Sequence, residues 1–196
     1  MLDLLKKSLL EAPVVKKGNY YYVVHPITDG VPQINKALLK EVTNEMRKQI
    51  EEKCGKIDKI VTMEAMGIPL ATVLSLEMDI PFTIIRKREY GLPGEVSVEQ
   101  TTGYSKSKLY INGLSRGNKI VIVDDVLSTG GTLKAVLSAL KKMQVDVKGV
   151  FIAVNKGNAV QKIQNEFNIT ITALAKCRCC QRENYIVTNK LKTIQN

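Results

Sequence analysis

Apolar residues along the chain fall into two rhythms. Residues 2–12 set Leu2, Leu5, Leu9 and Leu10 at helical spacing, and Pro13 ends the run. Tyr20, Tyr21, Tyr22, Val23 and Val24 are aromatic or β-branched and predict a strand that His25-Pro26 breaks. Residues 37–50 predict a helix with Leu38, Leu39, Val42, Met46 and Ile50 on one face. After Gly55, short apolar strands at 59–63, 81–85, 119–123, 147–154 and 169–174 alternate with helices at 70–78, 133–143 and 159–167. Buried strands separated by helices require crossover connections, so the expected fold is α/β, a parallel twisted sheet flanked by helices.

Residues 86–118 interrupt this alternation. The stretch is polar, holds Gly91, Gly94, Gly103, Gly113 and Gly117, and is too long for an ordinary connection. Irregular segments of that length inside a compact domain are usually lids or hairpin insertions. The chain therefore divides into an N-terminal helix and hood region over 1–58, a core over 59–175 carrying a lid loop at 95–113, and a C-terminal extension over 176–196. There are no internal repeats and no linker of the kind that separates independent domains.

The length, 196 residues, suits one domain with a sizeable core. No apolar run approaches the ~18–20 residues needed to cross a bilayer, and residues 1–7 lack a signal-peptide layout. The expectation is a soluble cytoplasmic protein without a membrane partner. Lysine and arginine number 29 against 19 aspartates and glutamates, a formal charge of +10 that favours anionic ligands but does not choose among them. Aromatic residues make up only 5% of the chain and form no stacking motif, which argues against a nucleic-acid partner. Of the four cysteines, Cys54 stands alone and Cys177, Cys179 and Cys180 are bunched. Paired zinc-ligand spacing is absent, the only histidine is the distant His25, and the C-x-x-C at 177–180 does not head a helix. Reduced structural thiols fit better.

The most informative stretch is Val121-Ile122-Val123-Asp124-Asp125-Val126-Leu127-Ser128-Thr129-Gly130-Gly131-Thr132. An apolar strand ends in two carboxylates, a turn follows, and small hydroxyl and glycine residues open a helix. Gly130 and Gly131 let the backbone approach a ligand closely. The first N–H groups of a helix, with its positive dipole end, suit a phosphate, and Ser128, Thr129 and Thr132 add hydroxyl donors. Asp124 and Asp125 accept hydrogen bonds only, as the hydroxyls of a sugar require. A phosphate beside vicinal hydroxyls describes a ribose 5-phosphate. A Walker A loop and a G-x-G-x-x-G fingerprint are both absent.

This stretch resembles the phosphoribosyl-pyrophosphate (PRPP) motif of the type I phosphoribosyltransferases. Ile85-Arg86-Lys87-Arg88 followed by Leu92-Pro93-Gly94 is similar to the adenine phosphoribosyltransferase branch, and Met63-Glu64-Ala65-Met66-Gly67 resembles that branch's Glu-Ala-Arg-Gly loop. With His25-Pro26-Ile27-Thr28-Asp29-Gly30 and the long insertion, the whole resembles the archaeal hypoxanthine/guanine phosphoribosyltransferase group over most of residues 1–175, leaving out about the last twenty.

The resemblance implies a transferase of purine salvage that moves 5-phosphoribosyl from the magnesium complex of PRPP to a purine, releasing pyrophosphate. It implies an oxocarbenium-like transition state, so that positioning and charge supply most of the rate. By position, Ser128, Thr129, Gly130, Gly131 and Thr132 would bind the 5-phosphate, and Asp124 and Asp125 the ribose hydroxyls. Glu64, Met66 and Gly67 would form the pyrophosphate loop, with Arg86, Lys87 and Arg88 as countercharge. Tyr104 and Lys106 would close the lid, with Tyr104 counted among the catalytic residues. Mg2+ would be carried mainly by PRPP itself, without a protein metal site. Met66 stands where the branch has arginine, which removes a side-chain charge. Residues 22–31 would form a hood over the base, with His25 either packed or touching ligand. Lys156 resembles the lysine of the Glu-Lys turn of xanthine phosphoribosyltransferases. It can only donate, which favours a 6-oxopurine. An adenine-specific transferase and a non-catalytic PRPP-sensing regulator are the alternatives, and the resemblance implies a homodimer.

Overall fold

The computed structural model describes residues 2–17, 20–102, 105–178 and 186–188. The chain runs α1 (Asp3–Glu11), β1 (Val14–Lys17), β2 (Tyr20–Val23), α2 (Pro26–Asp29), α3 (Lys36–Cys54), β3 (Lys59–Met63), α4 (Gly67–Met78) and β4 (Phe82–Ile85). It continues through β5 (Val96–Thr102), β6 (Ser105–Ile111), β7 (Lys119–Leu127), α5 (Gly131–Lys142), β8 (Asp146–Asn155), α6 (Ala159–Phe167), β9 (Ile171–Arg178) and β10 (Ile186–Thr188). The main sheet has the order β10-β9-β8-β7-β3-β4. All its pairings are parallel except β10 with β9. Two antiparallel hairpins, β1–β2 and β5–β6, stand apart from it. The expected α/β architecture, a parallel sheet flanked by helices with a hairpin insertion at mid-chain, is the observed one, and the N-terminal hairpin is an addition to it.

Alternation along the central strands sends side chains to two separate cores. Val121 and Val123 of β7 join Ile60, Phe151 and Ala153 in one cluster, where α1 contributes Leu5 and Leu9, α3 contributes Val42, Met46 and Ile50, and α4 contributes Leu70 and Leu74. Ile120 and Ile122, from the same strand, pack on the other face with Leu133, Val136, Leu137 and Leu140 of α5 and Ile163 of α6. The β5–β6 hairpin buries Val98, Leu109 and Ile111 in this second cluster, and its base is tied to the sheet by a bridge between Arg86 and Tyr110.

Several boundaries differ from the sequence expectation. β1 was not anticipated, because two lysines close a four-residue strand that follows Pro13. Helix α4 starts at Gly67 rather than residue 70: Pro69 sits in the first turn, where its missing N–H has no intrahelical partner to lose. The largest difference concerns the acids. β7 does not end at Val123 but pairs on with β8 through Asp124↔Ile152, Val126↔Val154 and Leu127↔Asn155. The strand thus carries both acids, and it runs two residues past Asp125 before the turn begins.

Candidate functional site

The sheet topology locates the site. From β3 the chain moves outward to β4, whereas from β7 it moves the opposite way to β8 and β9. The order reverses between β3 and β7, and open α/β sheets bind ligands in the crevice beyond the strand ends at such a point. The β3–β7 pairing stops at Thr62↔Val123 while β7 runs four residues further. Past Val123 one edge of β7 is therefore unpaired with β3, and a recess of about 420 Å³ opens there, lined by Glu64, Lys87, Asp124, Asp125 and the turn over residues 128–132.

Ser128 and Thr129 are exposed, and Gly130 stands at the N-cap of α5 in the left-handed region at φ 78°. A side chain at Gly130 would be strained there, and its Cβ would fall 2.5 Å from Ile163 Cδ1. No side-chain hydrogen bond caps α5. Its first N–H groups, at Gly131 and Thr132, border the recess together with the positive end of the helix dipole.

The two carboxylates meet different surroundings. Asp124 Oδ1 accepts from the N–H of Asp125 at 3.1 Å and lies against Gly67, where a Cβ would come within 2.7 Å of it. Asp125 is 6% exposed and feels the charges of Lys156 and Asp29 on the hood side. Burial raises both pKa values, that of Asp125 to about 6, and the Asp125 charge raises Asp124 further. The pair resists holding two charges, and cationic or hydrogen-bond-donating ligands would offset that cost.

On the β3 side, Glu64 Oε2 accepts from Arg86 Nε at 2.8 Å and from the Lys87 N–H at 3.2 Å. The Lys87 N–H first, and then the Arg86 guanidinium, hold the Glu64 carboxyl below the usual range. Lys87 lines the recess. Arg86 and Arg88 are not brought into it: Arg86 pairs with Glu64, and Arg88 lies over the Tyr90 ring, 5.7 Å from its centroid. The Met66 side chain turns toward the hood, where its Cε would be 3.2 Å from a Cβ at Gly30. Tyr104 lies outside the described residues. Lys106 belongs to β6, but its side chain also lies outside them, as do Cys179 and Cys180.

Lys156, just past the end of β8, ties residues 23–28 to the sheet. Lys156 Nζ donates to Val23 O and Thr28 Oγ1, each at 3.3 Å, and sits 5.2 Å from the centroid of the Tyr22 ring. An ammonium has three protons, so one remains for another acceptor. Tyr22 O–H and Thr28 O–H both donate to Asp29. His25 is packed: it is fully buried, its Nε2 is 2.8 Å from Ser8 Oγ, and its Nδ1 accepts from the Ile27 N–H. Burial pulls its pKa down to about 4, so it is a neutral structural group at neutral pH.

Three residues were not singled out from the sequence. Gly157 follows Lys156, and a Cβ there would lie 2.2 Å from Ser128 O. Thr28 supplies the hydroxyl for Lys156. Thr62 is buried beneath Gly67. Only Gly157 carried a local signal, as the glycine of an Asn-Lys-Gly turn.

The chain is similar to known proteins. The model of the phosphoribosyl transferase domain matches residues 31–175. A hypoxanthine/guanine phosphoribosyltransferase of Methanothermus fervidus is 47% identical over 191 residues, covering 97% of this chain and 100% of the relative. Its counterpart in Methanothermobacter thermautotrophicus is 51% identical over 176 residues, covering 90% of each chain. The first of these alignments takes in most of the C-terminal segment, which the motif resemblance had left out. Among solved structures, an adenine phosphoribosyltransferase of Thermoanaerobacter pseudethanolicus superposes with a TM-score of 0.70 at 22% identity, covering 90% of this chain and 99% of that one. At that identity it establishes the shared fold alone. With a family model spanning most of the chain and relatives near half identity along nearly its whole length, this protein is a member of the phosphoribosyltransferase family.

Proposed function

We propose that the chain transfers the 5-phosphoribosyl group of PRPP to hypoxanthine or guanine. The bond from C1 of the ribose to a pyrophosphate oxygen breaks with its electron pair on that oxygen, a bond from C1 to a purine ring nitrogen forms, and the proton of that nitrogen passes to the released pyrophosphate or to solvent. The observation that carries this reading is the recess in which two carboxylates, Asp125 buried and Asp124 half-buried, stand beside the uncapped start of α5, in a chain about half identical to hypoxanthine/guanine phosphoribosyltransferases.

Each side chain then has a task. The N–H and hydroxyl groups of Ser128, Thr129, Gly130, Gly131 and Thr132 hold the 5-phosphate. Asp124 and Asp125 accept from the ribose hydroxyls, and their charge favours the cationic sugar of the transition state. Glu64, Met66 and Gly67 form the floor for pyrophosphate. Lys87 supplies countercharge from the wall of the recess, and Arg86 and Arg88 swing toward the leaving group from their present partners. Tyr104 and Lys106 close from the hairpin and exclude water. Among the described residues no group of three or more His, Cys, Asp or Glu side chains could hold a metal ion. Magnesium enters in this reading as part of the substrate complex, held mainly by PRPP oxygens.

The same reading divides the chain into hood (1–58), core (59–175) with lid (95–113), and extension (176–196). It includes a homodimer, supported by the motif resemblance. It puts the reaction in the cytoplasm, where a free buried thiol such as Cys54 stays reduced. No helix among the described residues is long and apolar enough to cross a membrane.

Lys156 chooses the base. Its third proton suits the 6-oxygen of hypoxanthine or guanine and has no acceptor on the amino group of adenine. Assays with hypoxanthine, guanine, xanthine and adenine test this. The expected result is turnover of hypoxanthine and guanine well above adenine. In Lys156→Ala, kcat/KM for the 6-oxopurines falls by about 10-fold or more, the usual worth of a charge-assisted hydrogen bond. Adenine as the one good substrate would overturn the base assignment.

A further inference from the structure

Thr62 is the anomaly of the core. It sits in β3 between Ile84 of β4 and Val123 of β7, at 0% exposure, and its hydroxyl has no hydrogen-bond partner among the described residues. Buried hydroxyls are nearly always satisfied, and leaving one unpaired destabilises the fold. Valine would fill the same volume in a β-strand without that cost. A buried unpaired donor in this position calls for an acceptor that is not yet in place.

The surroundings supply one. Gly67 packs so closely on Thr62 that a Cβ there would fall 2.1 Å from Thr62 Oγ1 and 2.7 Å from Asp124 Oδ1. The hydroxyl and the carboxylate thus face each other across the space that a side chain at residue 67 would occupy. They are not hydrogen-bonded to each other. Asp124 Oδ1 has the Asp125 N–H as its partner and keeps lone pairs for another donor. Gly67 is also the first residue of α4 and part of the loop assigned to pyrophosphate, so one contact point joins that loop, Thr62 and Asp124.

We propose that Thr62 is a positioning residue for PRPP: when the ribose hydroxyls engage Asp124, the Thr62 hydroxyl donates to the Asp124 carboxylate from below and fixes it against Gly67. The inference rests on the reading of Asp124 as a ribose-binding carboxylate. A hydroxyl–carboxylate bond at a dry site is short and strong, and it orients the carboxylate without adding charge. Binding of PRPP then gives the Thr62 hydroxyl the acceptor it otherwise lacks, and that bond adds to affinity. Absence of a Cβ at residue 67 is what makes the approach possible.

Three variants of the whole protein test this: Thr62→Val, Thr62→Ser and Asp124→Asn, each assayed for KM and kcat with both substrates and for thermal midpoint. In Thr62→Val, KM for PRPP rises about 5- to 10-fold, the worth of one such hydrogen bond. KM for hypoxanthine stays within twofold, and the thermal midpoint is equal to the parent or higher because an unpaired hydroxyl has gone. In Thr62→Ser the PRPP KM returns to near the parent value even where the lost methyl lowers the midpoint. Thr62→Val with a parental PRPP KM would overturn the inference, as would Ser and Val variants impaired alike. Asp124→Asn separates the two levels: impaired binding of PRPP there, with a normal Thr62→Val, removes this inference alone. Normal binding in Asp124→Asn overturns the assignment of Asp124 and this inference with it.

Discussion

Replacing Asp125 by asparagine is expected to lower kcat/KM for PRPP at least about 100-fold while leaving the folded protein equally or more stable. In the proposed reading the loss combines a hydrogen bond to the ribose with the negative charge that faces the developing cation, and single preorganised groups of this kind contribute roughly 10²- to 10³-fold. The stability follows from the same burial. With its pKa raised to about 6 in the folded protein and near 3.9 in an unfolded chain, Asp125 binds its proton more tightly when folded. Its favourable contribution is complete below about pH 4 and is lost as pH rises through about 6, so at pH 7 the ionised group works against folding. Asparagine removes that penalty and costs the catalyst. In the proposed reading the ionised form of Asp125 accepts from the sugar, so kcat/KM of the parent rises with pH through about 6. A pH profile together with thermal melting checks both parts. A variant with parental activity, or a profile flat from pH 5 to 8, would contradict the account.

Gly157→Ala is expected to damage both substrate sites through one methyl group. Its Cβ would lie 2.2 Å from Ser128 O and 2.9 Å from Ser128 C, both backbone atoms of the phosphate turn that cannot rotate away. The neighbouring bonds leave little slack: the Lys156 N–H donates to Leu127 O at 2.8 Å and the Gly157 N–H to Asn155 Oδ1 at 3.0 Å. Relief must therefore displace the phosphate turn, the Lys156 turn, or both. Overpacking of this kind costs about 1–3 kcal/mol. We expect KM for PRPP and for the purine to rise together, each about 10-fold, with a thermal midpoint lower by a few degrees. Parental KM values for both substrates would show that the two turns are not coupled here.

Much of this was legible in the sequence because the signals were local. The runs at 59–63, 119–123 and 147–154 are apolar on both faces, as strands between two helical layers must be, and each became a central strand. Tyr20 to Val23 carried its strand on aromatic and branched side chains, whereas Val14–Lys17, which pairs with it, was hidden by its lysines. The acids were legible as the end of a strand, but its extension through Leu127 was not, because two carboxylates break the apolar run while β8 goes on pairing at Asp124, Val126 and Leu127. The turn from Ser128 to Thr132 was readable as a motif. The close approaches of Gly67 to Thr62 and of Gly157 to Ser128 were not, since each joins segments far apart in the chain and leaves no periodic trace. His25 shows the converse: a lone histidine beside a candidate site, resolved as a packed group by its bonds to Ser8 and Ile27.

The central claim is that the turn between β7 and α5 grips a sugar phosphate while the paired acids hold its ring hydroxyls. A crystal structure with GMP bound tests it most directly. The account predicts the 5-phosphate within about 3 Å of the N–H and hydroxyl groups of Ser128, Thr129 and Thr132, with the ribose hydroxyls on Asp124 and Asp125. GMP seated elsewhere, with that turn vacant, would contradict it.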